Sequence, residues 1–434
     1  MKMEGLSFDN VPAIHIPFRF FNTAPWMGLF AAVILFFSGA EAFDSQWTPQ
    51  LLAITHLLTL GFMVMVMFGA LFQLLPVISG ITIPKARVIA PLIHIALVLG
   101  VALLVVGFLR FQYHLFFYAL PLLVAAFVFF LVALGSRLRH NIRGGDSIYV
   151  IRFAALSLMV TIVLGVVRAL TYLGYNDFFV IQSITNLHLG WGLAGWSLLV
   201  VMGVSYQVIP MFHITPCYSK KITKTVPALL FFCLLGLSFI QGEVLSKMLI
   251  IIICLVMAFY ATYSLFLLSK RKRKIRDLTV YFWRLAFICL GGGAFLLAIN
   301  QFFELSGRFN TTLGVLAIYG FFISVIMGML LKIIPFLTYL HLQRQCMTRY
   351  ELLPSLPNMR EIISENQAVW QFRLHVISLL LLLFCTVFSQ AASIAGLAML
   401  LDFMWLGISV TKASKLYYQH SRRIINTAPV VCDS

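Results

Sequence analysis

Apolar residues run along this chain in long blocks separated by short polar connectors. Twelve blocks, at about 24–43, 49–77, 87–109, 114–135, 148–174, 179–211, 224–242, 246–269, 279–304, 311–340, 370–388 and 391–413, reach the length needed to cross a bilayer, about 20 residues. Several run longer, which predicts tilt or overhang. The longest connector, roughly 343–369, is too short for a separate folded domain. The pattern predicts an all-α integral membrane protein with one polytopic domain over 1–434.

Composition agrees. Hydrophobic residues make up 61% of the 434 and charged residues 10%, against about half and a quarter in a soluble domain; mean hydropathy is +0.98. The net charge of +17 alone suggests a nucleic-acid partner, but the positions of the charges remove that reading. On twelve helices, all of the 31 Lys and Arg except Arg110, Arg168, Lys247 and Arg308 fall on or towards the side that holds the termini and the connectors after even-numbered helices. This positive-inside pattern predicts cytoplasmic N- and C-termini, with basic loops against anionic lipid heads. The first block ends in GAEAF, an Ala-x-Ala pattern. The long stretch before it favours a retained first helix over a cleaved signal peptide. The seven cysteines show no C-x-x-C spacing and read as packing residues.

A repeat divides the chain. Gly, a second Gly eight later and Pro seven beyond occur at Gly61/Gly69/Pro76, Gly195/Gly203/Pro210 and Gly320/Gly328/Pro335. Four residues after the second Gly stand Gln73, Gln207 and Lys332. Each copy falls on the second helix of a block of four, which predicts three pseudo-equivalent units at roughly 20–140, 148–270 and 279–415. On a uniform α-helix the second Gly, the polar residue and Pro lie within about 60° of one another. The stripe reads either as close helix packing or as a polar, proton-accessible lining on the inner side.

Histidines supply the candidate chemistry. His56 lies about 10 Å inside helix 2 from its outer end, and His188 has nearly the same depth in helix 6. Imidazole is the commonest protein ligand for haem iron and also binds copper, so both are candidate cofactor and metal ligands; the alternative is a hydrogen-bonded core histidine. Relative to the repeat the two differ by about 200° of helical phase, which predicts that they face different gaps between units. Arg168, at similar depth in helix 5, either snorkels outward or pairs with an anionic ligand such as a haem propionate. Weaker cofactor candidates are His94 and His375, which share inner depth and could pair, and His114 at the outer start of helix 4. His213 ends helix 6, while His15, His140, His341 and His420 read as interfacial. Asp402 is an acid at membrane depth, protonated or paired. Glu304 and Arg308 sit at the outer mouth. The Met63–Met67 alternation reads as soft packing ahead of a copper site.

Three groups of four helices with histidines on the second helices resemble the catalytic subunit of haem-copper oxidases. The local frame is similar to the NnrS family, membrane haem proteins linked to nitric-oxide stress. That family's helix-2 signature of His, Gly-Phe five later, a second Gly, then Pro and Gly four beyond stands here as His56, Gly61-Phe62, Gly69, Pro76 and Gly80. The resemblance implies haem as cofactor with copper as an open alternative, a redox or nitric-oxide role in the bacterial inner membrane, a diatomic gas ligand and an electron-donor protein. There are departures. Leu57 replaces an acidic residue, 311–340 and 224–242 hold no histidine, and Trp191-Gly192 follow His188 without the His-to-Tyr spacing of four. These count against a standard oxygen-reducing oxidase and leave haem-dependent oxidoreductase activity open. The rival readings are a secondary transporter of a small solute, metal or haem, and an assembly factor for a respiratory complex.

Overall fold

The computed structural model describes residues 12–79, 83–138, 145–175, 181–240, 242–272, 274–303, 308–347 and 350–426. Gly80, His140, Glu304 and Cys432 lie outside them. Twelve helices are long and apolar enough to cross a membrane: α1 His15–Phe43, α2 Pro49–Pro76, α3 Ala86–Leu109, α4 Tyr113–Ser136, α5 Asp146–Tyr172, α6 Ser183–His213, α7 Lys220–Phe239, α8 Glu243–Ser269, α9 Leu278–Ile299, α10 Arg308–Gln345, α11 Glu365–Cys385 and α12 Ser389–Asn426. They match the apolar blocks, with overhang at α1, α10 and α12. The connector before α11 adds a turn of helix, Met359–Ile362, closed by an Asn358/Glu361 capping box, and Ser364 and Gln367 cap α11 in the same way.

One packing scheme recurs three times. In each group the first helix packs on the second and third, the second on the third, and the third on the fourth. The fourth helix then packs on the first helix of the next group, at α4–α5, α8–α9 and α12–α1, so the ring closes. The second helices form its interior. In α2, α6 and α10, 67%, 56% and 72% of the apolar window is buried, against 28–44% in the other nine. Exposed faces of the outer helices carry large apolar residues such as Leu92, Val132, Leu255 and Phe295, as expected where the solvent is lipid.

The glycine frame explains how the inner ring seats on the outer one. A Cβ at Gly61 would lie 2.9 Å from the Met27 side chain, at Gly195 3.0 Å from Ser157, and at Gly320 2.8 Å from Cys289. At Gly69 it would meet Phe20 at 2.9 Å, at Gly203 Ile151 at 3.2 Å, and at Gly328 Phe282 at 2.6 Å. Both glycines of every copy thus receive a side chain from the first helix of their own group, the close approach that small residues permit.

Uniform α-helix was the expectation for these segments, and here the structure differs. Each second helix widens into a π-helical stretch around the first frame glycine, at Leu57–Val64, Gly190–Ser197 and Val315–Ile323. A π-turn changes the winding that follows it. Its sequence is as apolar as its surroundings, so no local composition announces it. The prolines Pro76, Pro210 and Pro335 sit in the α-helical segments that follow the π-stretches.

Candidate functional site

The gap between α2 and α5–α6 gathers the strongest candidates. His56 ends the α-helical start of α2, directly before the π-stretch, and its Nδ1–H donates to the Leu52 carbonyl at 2.8 Å. His188 stands just before the π-stretch of α6, and its Nδ1–H donates to the Thr161 carbonyl of α5 at 3.1 Å. A carbonyl accepts only, so each bond fixes the ring proton on Nδ1 when the imidazole is neutral. The Nε2 lone pair of each ring is then available as a ligand. Gly165 lets His188 reach α5, because a Cβ there would sit 3.0 Å from the ring Cε1.

His56 and His188 come within electrostatic range of one another, and Arg168 within range of His188. The expectation that the two histidines face different gaps is therefore corrected. Around a closed ring, an offset of about half a turn lets two equivalent helices look back at each other across one gap.

Arg168 meets hydroxyls and an aromatic ring, and no acid among the described residues. Nε donates to the Thr185 hydroxyl at 3.1 Å, the terminal nitrogens donate to the Thr171 and Tyr172 hydroxyls, and the guanidinium lies over the Tyr172 ring at 4.6 Å. Tyr172 continues into an aromatic wall of Tyr113, Phe116 and Phe108, and Phe108 packs on the His56 ring at 5.4 Å. The wall connects the histidine of the first group to the cation of the second. Sequence reading missed Tyr172, Thr185, Thr161 and Phe108; only Tyr172, four residues after Arg168 on the same face, carried a local signal.

His94 and His375 do not pair, which corrects that expectation. They occupy corresponding places on the third helices of the first and third groups. His94 Nε2 bonds Thr23 at 2.9 Å and its ring meets Phe20, while His375 lies against Phe282. Phe20 and Phe282 are the residues received by Gly69 and Gly328. His114 is exposed in the short turn Tyr113–Leu115, so it is set aside as a ligand. His15 is exposed, and His341 and His420 are half-buried at the inner end. Met63, Met65 and Met67 are buried packing residues. The six described cysteines are unbridged.

The polar stripe does not form one lining. Gln73 is buried and its amide has no partner among the described residues, Gln207 is half-buried, and Lys332 Nζ pairs with Asp277 at 2.9 Å. Asp277 caps α9 by accepting from the Thr279 amide and hydroxyl, and His213 approaches it to 3.6 Å. Burial pushes the Asp277 carboxyl up, but the His213 and Thr279 contacts and the Lys332 charge outweigh it and hold the carboxyl well below the usual range.

A second constellation fills the third group. Asp402 of α12 accepts from the Tyr319 hydroxyl at 2.6 Å, from His375 Nδ1 at 2.9 Å and from the Gln371 amide. His375 Nε2 faces the Ser324 hydroxyl at 2.7 Å, and its ring stacks on Tyr319 at 4.9 Å. Asp402, His375, Gln371 and Ser324 are wholly buried. Of these only Asp402 and His375 stood out in the sequence, and nothing there linked them.

Among the described residues no group of three His, Cys, Asp or Glu side chains converges to hold a metal ion. Haem iron has four ring nitrogens of its own and takes one or two axial side chains, and two imidazoles with free Nε2 atoms fit that demand. No family model matches this chain, and no curated protein matches it either.

Proposed function

We propose that this chain is a haem-binding protein of the bacterial inner membrane, built on the haem-copper oxidase-like plan of three four-helix groups, with both termini in the cytoplasm. The observation that carries the reading is the pair His56 and His188. Both tie Nδ1 to a backbone carbonyl, both leave Nε2 without a partner among the described residues, and they lie within electrostatic range across one gap. His56 would hold the haem iron. His188 would either hold it as well or line the far side of the gap.

Arg168 supports the reading because its charge is met by hydroxyls and an aromatic face, with no acid partner among the described residues. A bound carboxylate would supply that partner with charge-assisted hydrogen bonds, and haem carries two. The aromatic wall excludes water from the His56 side. When bound, haem supplies an iron centre able to hold a diatomic gas or pass single electrons. The protein's own part is to hold the imidazoles neutral and oriented, to balance the carboxylates at Arg168 and to keep the gap dry. Nitric-oxide or redox handling with an electron-donor protein is the activity that follows, through chemistry other than a standard oxygen-reducing centre.

The test is the haem-to-protein ratio of the detergent-purified chain, with and without added haem. Near-stoichiometric haem in the wild type and a loss of tenfold or more in His56→Ala are expected. Equal haem content in both would overturn the assignment. Folded protein that stays colourless after reconstitution would favour the transporter reading, for which the buried acid in the third group would be the starting point.

A further inference from the structure

The Asp402 network lies far along the chain from the proposed haem ligands and has its own logic. His375 stands midway along Glu365–Cys385, deep in the bundle. Among the described residues the groups facing the Asp402 carboxylate are Tyr319 from α10 and Gln371 and His375 from α11. Phe282 of α9 and the neighbouring Phe403 supply apolar walls. No Lys or Arg reaches it among those residues. A lone carboxylate in such surroundings is costly, and only a proton on this cluster makes it neutral.

We propose that Asp402, His375 and Tyr319 form a proton-binding site inside the membrane domain, holding one exchangeable proton between carboxylate and imidazole. The hydrogen bonds accommodate both states. With His375 neutral, Nδ1–H donates to Asp402 and Nε2 accepts from the Ser324 hydroxyl. With the proton added, Nε2–H donates to Ser324 Oγ, whose own proton turns to the Tyr319 carbonyl at 3.5 Å. That acceptor lies in the π-stretch, five residues before Ser324. Loading converts a buried carboxylate beside a neutral ring into a net-neutral ion pair; unloading returns the proton to water.

Two further polar atoms border the site. Ser378 Oγ and Gln371 Oε1 are buried with no hydrogen-bond partner among the described residues. Ser378 lies beside the Tyr319 hydroxyl without a bond of good geometry, and Gln371 is bound to Asp402 through its nitrogen.

The experiment is a pH titration of histidine-labelled, full-length protein by nitrogen NMR in lipid, with the His375 signal assigned by its absence in His375→Gln. A signal that passes reversibly from the neutral to the doubly protonated imidazole as pH falls is expected. In Tyr319→Phe the carboxylate loses a donor, so the midpoint of the transition moves. A His375 ring fixed in one protonation state wherever the protein stays folded, or a midpoint that Tyr319→Phe leaves unmoved, would overturn the proposal. If His375→Gln fails to fold, site-selective labelling of the wild type gives the same assignment. Haem content is not a readout, so this proposal and the haem reading fail separately.

Discussion

The histidines between the first and second groups and the histidine inside the third group have the same chemical type and opposite surroundings. His56 and His188 each spend one nitrogen on a backbone carbonyl and, among the described residues, keep the other without a partner beside a cation that meets no acid. His375 spends both nitrogens, and its acid is met from three sides. The first arrangement has open donor capacity and excess positive charge, which suits an incoming anionic ligand with a metal centre. The second is closed and lacks any full charge besides its own, which suits a proton. What a membrane histidine does is therefore read from the state of its second nitrogen more than from its depth.

The largest effect expected across this contrast is on haem. His56→Ala should abolish most of the haem absorbance, and His375→Ala, assayed in the fraction that folds, should leave haem per protein unchanged. Equal losses in the two variants would break the distinction. Asp402→Leu should then cost the most stability, about 3–5 kcal/mol, because it strands His375, Tyr319 and Gln371 in a buried site. Chemical denaturation in mixed micelles would measure it, and a loss below that of a surface control would contradict the closed network.

Packing effects come next. Gly328→Ala places a Cβ against Phe282, the residue that walls His375, and overpacking of about 1–3 kcal/mol is expected; the same assay reads it, alongside the milder Gly203→Ala. The smallest effect belongs to the inner ion pair. Asp277→Asn should lower stability by about 1–2 kcal/mol at neutral pH. The folded carboxyl is held below its unfolded value, so its contribution is complete above pH of about 4 and declines as pH falls from there. The wild-type and variant melting curves should converge in acid.

The sequence carried the membrane class, the twelve helices and the repeat because each depends on periodic local composition. The frame glycines were legible for a simple reason: close packing on the first helix demands Gly at both places in all three copies. The π-stretches were not legible, since Leu57–Val64 reads equally well as α-helix. Nor was the shared gap of His56 and His188, because phase along a single helix does not say where its neighbours stand in a ring. His375 and Asp402 lie on different helices, and only the fold brings them together. The expected pairing of His375 with His94 failed because equal depth does not mean the same group.

The measurement that tests the central claim most directly is a dithionite-reduced minus air-oxidised difference spectrum of purified wild-type, His56→Ala, His188→Ala and His375→Ala proteins at equal concentration. The account predicts a Soret band that shifts on reduction in the wild type and in His375→Ala, is lost in His56→Ala and is altered or lost in His188→Ala. A wild-type spectrum without a haem band after reconstitution, or a band unchanged in His56→Ala, would contradict it.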